Sequence, residues 1–182
     1  VISATAGNTF GNRFRRCLFS SVHKGFGGKL RLIISGGAAL NKKYWNGFRH
    51  MGFNILEGYG LTETYGPITV CPDEDPRFGS VGPALPENEI RICDPDESGI
   101  GEVCLRGSCV FKGYFKDNDL TSQVFDDQGW FHTGDLGRLD KDNFLYLSGR
   151  KKDMIVLDSG KNVYPDELED YYGRSSLIEE IG

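Results

Sequence analysis

The sequence predicts an α/β protein in three parts. The end of a parallel α/β sheet fills residues 1–78, a small antiparallel β-barrel or curled sheet fills 79–149, and the first hairpin and helix of a small α+β domain run from 150 to 182. Three features carry that expectation: a strand–helix–strand pattern over residues 30–56, a switch to two-residue alternation from Glu89 onward, and a new hairpin-then-helix pattern after Arg150.

Taken in order, Phe14, Cys17, Leu18 and Val22 recur at helical spacing, so a helix is expected from Asn12 to about Lys24, ending in Gly25, Gly27 and Gly28. Arg13, Arg15 and Arg16 on its other side read as a solvated surface. Leu30 to Ile34 has the length and composition of a buried strand. Asn41 can cap a helix whose apolar face is Tyr44, Trp45, Phe48 and Met51, with Gly52 as its stop and Phe53 to Leu56 as the next strand. Such a βαβ unit places its strands parallel, with their carboxyl ends on one edge. Loops there, Gly36 to Ala38 and Glu57 to Glu63, would line a shared crevice.

Residues 71–77 hold Pro72, Pro76 and three acids, the composition of a surface connector. Beyond it, Glu89 to Asp94 and Glu102 to Arg106 alternate as short strands do. Gly134 to Leu139 and Phe144 to Ser148 should pair around a turn at Asp140 to Asn143. Met154 to Leu157 and Asn162 to Tyr164 suggest another hairpin, turning at Asp158 to Gly160. Pro165 then opens a helix with Asp166, Glu167 and Glu169 in its first turn, where the helix dipole favours acids.

Composition narrows the function. A net charge of -5 gives no electrostatic reason to expect nucleic acid or an anionic membrane as partner. Five cysteines, odd in number and without a CxxC pair, suggest neither a disulfide framework nor a zinc site, and reduced cytosolic thiols are the plain reading. The 25 glycines sit singly or in pairs inside candidate site loops, so they read as tight turns and not as a linker.

Two clusters carry chemistry. The predicted hairpin brings Asp135 and Arg150 to one end, a carboxylate and a guanidinium flanking one spot, and an ionised carboxylate can accept from a pair of neighbouring hydroxyls such as those of a ribose. In the EGYGLTE run, Tyr59 offers a flat face for a purine or a ring for the core, and Gly58 and Gly60 permit close backbone approach. The Thr62 hydroxyl can donate to a phosphate oxygen, and Glu63 is a hard oxygen ligand of the kind Mg2+ takes.

The words GWFHTGD (Gly129 to Asp135), GRKKD (Gly149 to Asp153), GKNVYPDELE (Gly160 to Glu169) and the Tyr-Gly-x-Thr-Glu motif at Tyr59 to Glu63 together resemble the adenylate-forming superfamily of acyl-coenzyme A synthetases, firefly luciferase and nonribosomal adenylation domains. The resemblance implies ATP and coenzyme A as co-substrates, with Mg2+ at Glu63. It also implies a nucleotide site of Gly36, Gly37, Ala38, Glu57, Gly58, Tyr59, Gly60, Thr62, Asp135 and Arg150. Lys152 matches a hinge between half-reactions, and Gly160 would approach the pantetheine arm.

GGKLRLIISGGAAL and the DSGKNVYPDELE ending look most like long-chain fatty acid ligases, which makes a fatty acid the third partner and the cytoplasm the expected location. Peripheral membrane association stays open. So do a ligase that loads an acyl carrier protein and a non-catalytic AMP-binding module. The superfamily's Ser/Thr/Gly-rich phosphate loop and its downstream lysine are absent from the sequence. The expectation is therefore an internal fragment that turns over little or nothing alone.

Overall fold

The structure, a computed structural model, describes residues 11–157, 162–172, 175 and 178. Residues 11–18 are helical, and after a break at Phe19 the helix resumes as α1 (Ser20–Gly25). Its facing is the reverse of the expected one. Phe14 and Leu18 are 68% and 67% exposed, while His23 is buried, stacked on Phe53 with ring centroids 4.0 Å apart and its Nε2 2.8 Å from the Met51 carbonyl oxygen. Nor are all the arginines merely solvated: Arg15 donates to the Arg49 carbonyl and Arg16 to that of Leu30. Aromatic stacking and backbone acceptors decide which side faces in, and helical spacing of apolar residues alone missed that.

β1 (Leu32–Ser35), α2 (Lys42–His50) and β2 (Asn54–Leu61) form the expected βαβ unit, with β1 and β2 parallel from Leu32↔Asn54 to Ser35↔Glu57. The Asn41 side chain accepts from Lys43 N at 2.9 Å and caps α2 as its position suggested. β1 is a sheet edge, not a buried strand, since among the described residues only β2 pairs with it and Ile34 is 55% exposed.

β2 is also longer than predicted. Glu57 to Leu61 is strand, not loop, because β3 (Gly66–Val70) runs back along it antiparallel, Gly58 opposite Val70 and Leu61 opposite Gly66. A 3-10 turn, Thr62–Thr64, joins them, locked by the Thr64 hydroxyl donating to the Gly66 carbonyl at 2.7 Å. Gly60 is required here by its own fold, since a Cβ on it would fall on the Gly66 backbone.

The second sheet is antiparallel, in the order β4 (Asn88–Cys93), β5 (Gly101–Gly107), β6 (Phe131–Leu139), β7 (Leu145–Arg150). Among the described residues it is open, with β4 and β7 as its edges. α3 (Asn118–Val124) lies between β5 and β6 in the chain and is capped by Asp117. One face of the second sheet builds the core: Val103, Leu105 and Leu145 are fully buried and pack with Phe131 of the same sheet and with Ile68 and Tyr59 of the first sheet.

The two sheets are stitched through residues 80–85, where Leu85 N donates to the Ile68 carbonyl of β3 and residues 80–82 bond to β7. Val81 N donates to the Leu145 carbonyl, Leu145 N to the Gly82 carbonyl, and the Ser80 hydroxyl to the Leu145 carbonyl at 2.9 Å. The connector is tied in as well. Arg77 reaches Asp140 and Asp142 in the β6–β7 turn and lies over the Phe144 ring at 3.7 Å. β8 (Ile155–Val156) and β9 (Asn162–Val163) pair as the predicted last hairpin, and α4 (Pro165–Tyr172) follows. The Tyr164 hydroxyl donates to Asp96, which attaches this hairpin to the turn after β4. No helix among the described residues is long and apolar enough to cross a membrane.

The thiols depart from expectation: Cys93 and Cys104 are joined as a disulfide, while Cys17, Cys71 and Cys109 are free. Diagonal positions on neighbouring strands bring the pair together across a hairpin, a proximity that spacing along the chain does not reveal.

Candidate functional site

Asp135 and Arg150 are register partners on β6 and β7, because the Asp140 carboxylate accepts from the Asp142 and Phe144 amides and closes the turn between the strands. Arg150 Nε is 3.2 Å from Asp135 Oδ1. The other carboxylate oxygen accepts from the Tyr59 hydroxyl at 2.6 Å, across 76 residues of sequence. Burial and the neighbouring Asp135 carboxylate push the Tyr59 phenol far up, so it stays protonated and donates. Thr133 steadies this corner, its hydroxyl donating to the Val103 carbonyl and accepting from Asp135 N at 3.0 Å.

This chain of three side chains forms part of the wall of a cavity of about 380 Å³ between the two sheets. Gly37, Ala38, Glu57, Gly58, Tyr59, Gly60, Asp135 and Arg150 all line it, which brings the Asp135–Arg150 pair and the Glu57 to Gly60 part of the second cluster to one cleft. Gly36 stands just behind the lining, packed toward the Gly58 carbonyl. Tyr59 packs its ring into the core and is only 7% exposed, so its hydroxyl edge and one margin meet the cavity.

Glu57 has a role the sequence did not announce. Its buried carboxylate accepts from Gly79 N at 3.1 Å and Leu40 N at 3.4 Å, tying the Gly-rich loop after β1 to the segment leading into the second sheet. Burial raises its pKa, and those two amides only partly offset the rise. The folded carboxyl therefore holds its proton to higher pH than the unfolded one, so stability falls as pH rises from the usual carboxylate range through the raised value. In Glu57→Gln that pH slope should vanish from the urea midpoint. The amide should also cost about 1 kcal/mol, since its NH2 meets one of the two N–H donors.

Thr62 and Glu63 are not in the cavity wall. They sit in the turn at the end of β2, three and four residues beyond Tyr59, or about 10–13 Å of extended chain. Thr62 is exposed, and Glu63 is half-buried with Oε1 accepting from the Tyr114 hydroxyl at 3.0 Å. Tyr114 thus orients the carboxylate through one oxygen and leaves the other for a ligand.

Lys152 is exposed in the turn after β7 and lines, with Thr133, Gly134, Arg150 and Lys151, a shallow hollow on the far side of Arg150. Its neighbour Lys151 has its Nζ 2.9 Å from the Glu102 carboxylate. Gly160 lies outside the described residues.

Residues 5–115 match the family described as AMP-binding enzyme. The chain is 42% identical over 165 residues to the long-chain-fatty-acid–CoA ligase FadD15 of Mycobacterium bovis, covering 91% of this chain and 26% of that protein. Against long chain acyl-CoA synthetase 1 of Arabidopsis thaliana it is 38% identical, with 90% of this chain and 26% of the relative covered. Among solved structures, O-succinylbenzoate coenzyme A synthetase from Bacillus subtilis in complex with ATP and magnesium ion superposes with a TM-score of 0.69 at 32% identity, over 85% of this chain and 34% of that one. The chain thus spans about a quarter of the length of the curated relatives it matches.

Proposed function

The chain belongs to the AMP-binding enzyme family, and from that premise we propose that it supplies the nucleotide-holding cleft of an ATP-dependent ligase that activates a long-chain fatty acid as its acyl-adenylate and passes the acyl group to coenzyme A. The observation that carries this reading is the Tyr59–Asp135–Arg150 chain, which lines one inter-sheet cavity together with Gly37, Ala38 and Glu57. Relatives named as long-chain ligases support the acyl class.

In the first half-reaction an oxygen of the fatty carboxylate attacks the α-phosphorus of ATP, and the bond to the bridging oxygen breaks to release pyrophosphate. The protein's share is positioning and charge neutralisation. Asp135 accepts from the ribose hydroxyls and Arg150 holds its carboxylate in place while donating to the same sugar. The Gly-rich loop after β1 and the margin of Tyr59 border the adenine, and the phosphates extend along β2 toward Thr62, whose hydroxyl donates to the α-phosphate.

Glu63 fits magnesium. It is a half-exposed carboxylate with one oxygen fixed by Tyr114, and Mg2+ typically takes one or two carboxylates and completes its shell with waters and substrate phosphates. When bound there, the ion would neutralise charge on the departing pyrophosphate.

The deciding experiment is ATP–pyrophosphate exchange by the full-length protein across a series of fatty acids. Exchange that requires a long-chain acid is expected, and exchange indifferent to every fatty acid would end the proposal. Lys152 is assigned as the hinge between half-reactions on its position two past Arg150 in the GRKKD motif; it lies in the turn that leads from the second sheet to the last hairpin. Lys152→Pro should leave exchange within about 3-fold of wild type and lower thioester formation by about 100-fold or more, an effect of the size seen when conformational positioning fails. Equal losses in both steps would remove the hinge assignment.

A further inference from the structure

The face of the second sheet opposite the core carries a group of side chains that the nucleotide cleft does not use. Cys104 on β5 is the register partner of His132 on β6 and, in the other direction, lies diagonal to Cys93 on β4, so three adjacent strands each present one donor to the same face. Cys104 Sγ is 3.5 Å from His132 Nδ1, and one donor atom from each of the three residues lies within 4.8 Å of the others. His132 Nδ1 is also 3.2 Å from Glu102 Oε2.

We propose that, with the Cys93–Cys104 bond reduced, Cys93 Sγ, Cys104 Sγ and His132 Nδ1 form a zinc site whose fourth tetrahedral position is left to water. A zinc ion with bonds of about 2.3 Å to sulfur and about 2.0–2.1 Å to nitrogen separates the two by about 3.5 Å, which is the Cys104–His132 separation observed. The Glu102 carboxylate stands beside the imidazole and not among the ligands.

The surroundings have the form of an outer shell. His132 Nε2 faces the Asp126 carboxylate at 3.8 Å, and Asp126 is itself fixed by the Gln128 and Trp130 amides and by Arg91 at 2.7 Å. Gly134 N and Lys151 Nζ hold the Glu102 carboxylate at 3.1 and 2.9 Å.

The chemistry balances with a phosphine reductant. The phosphine takes oxygen from water to become its oxide, its two electrons break the S–S bond, and the water's two protons leave two thiols. Binding then releases two protons as Zn2+ meets two thiolates and a neutral imidazole.

The test is anaerobic titration of the phosphine-reduced protein with Co2+, followed by displacement with Zn2+. One equivalent should give tetrahedral d–d bands with a thiolate-to-cobalt charge-transfer band, both erased by zinc. Cys93→Ser and His132→Gln, at positions less buried than Cys104, should each weaken binding by more than about 10-fold, the lower bound for losing even an outer-shell partner. A Cys17→Ser/Cys109→Ser double variant should bind as wild type. The site is refuted if the charge-transfer band is missing, if it survives in both single variants, if it is lost in the double variant, or if the disulfide persists in folded protein under excess phosphine.

Discussion

Asp135→Ala is expected to weaken ATP binding by about 100-fold. The carboxylate meets two ribose hydroxyls on the proposed reading, and a hydrogen bond to a charged group contributes about 1.5–3 kcal/mol, where each 1.4 kcal/mol is tenfold. The substitution also strands Tyr59, whose buried hydroxyl has Asp135 as its acceptor at 2.6 Å, and frees Arg150 from its ion pair. Calorimetric titration of the full-length protein with ATP and magnesium reads the affinity. Tyr59→Phe is the companion measurement: it removes the inner hydrogen bond but keeps the carboxylate and the ring, and binding should fall by no more than about 10-fold. If both variants lose the same amount, the carboxylate acts through the fold and not through the sugar.

The second large effect is on stability. Gly82 is buried with φ +88, and a Cβ on it would be driven into the backbone of Val70 and Cys71. A left-handed conformation costs a non-glycine residue about 1–3 kcal/mol before any overlap, and the overlap here is with main chain that β2 and β3 hold fixed. Gly82→Ala should therefore lose at least about 3 kcal/mol, read as a lower urea midpoint with an unchanged slope. Gly129→Ala is the comparison. Its φ is +78 but no atom stands near its Cβ, so it carries the conformational cost alone.

The sequence showed most plainly what depends on local chemistry. The turn residues Asp140 to Asn143 placed Asp135 opposite Arg150, and Asn41 and Pro165 marked two helix starts. It was silent where the cause is distant. Glu57 to Leu61 looks like a loop because of its glycines, and only the return of β3 makes it a strand. Phe14 and Leu18 have the spacing of a buried face, yet His23 and Phe53 set the helix the other way round.

The cleft followed the same division. Both clusters were recognisable by residue type, but neither the hydrogen bond that joins them nor the backbone duty of Glu57 leaves a trace in spacing. The Cys93, Cys104 and His132 group was invisible for a similar reason: cross-strand register, not a linear motif, brings the three residues together.

The bond between Tyr59 and Asp135 has a kinetic side. It closes a loop of 76 residues and joins strands that otherwise pair with their own neighbours, so its entropy of closure cannot be met by local structure forming first. Each sheet can acquire its hairpins early, while the mutual fit of the two waits for both. The wall of the inter-sheet cavity is therefore expected to close only after the hairpins on either side of it have formed.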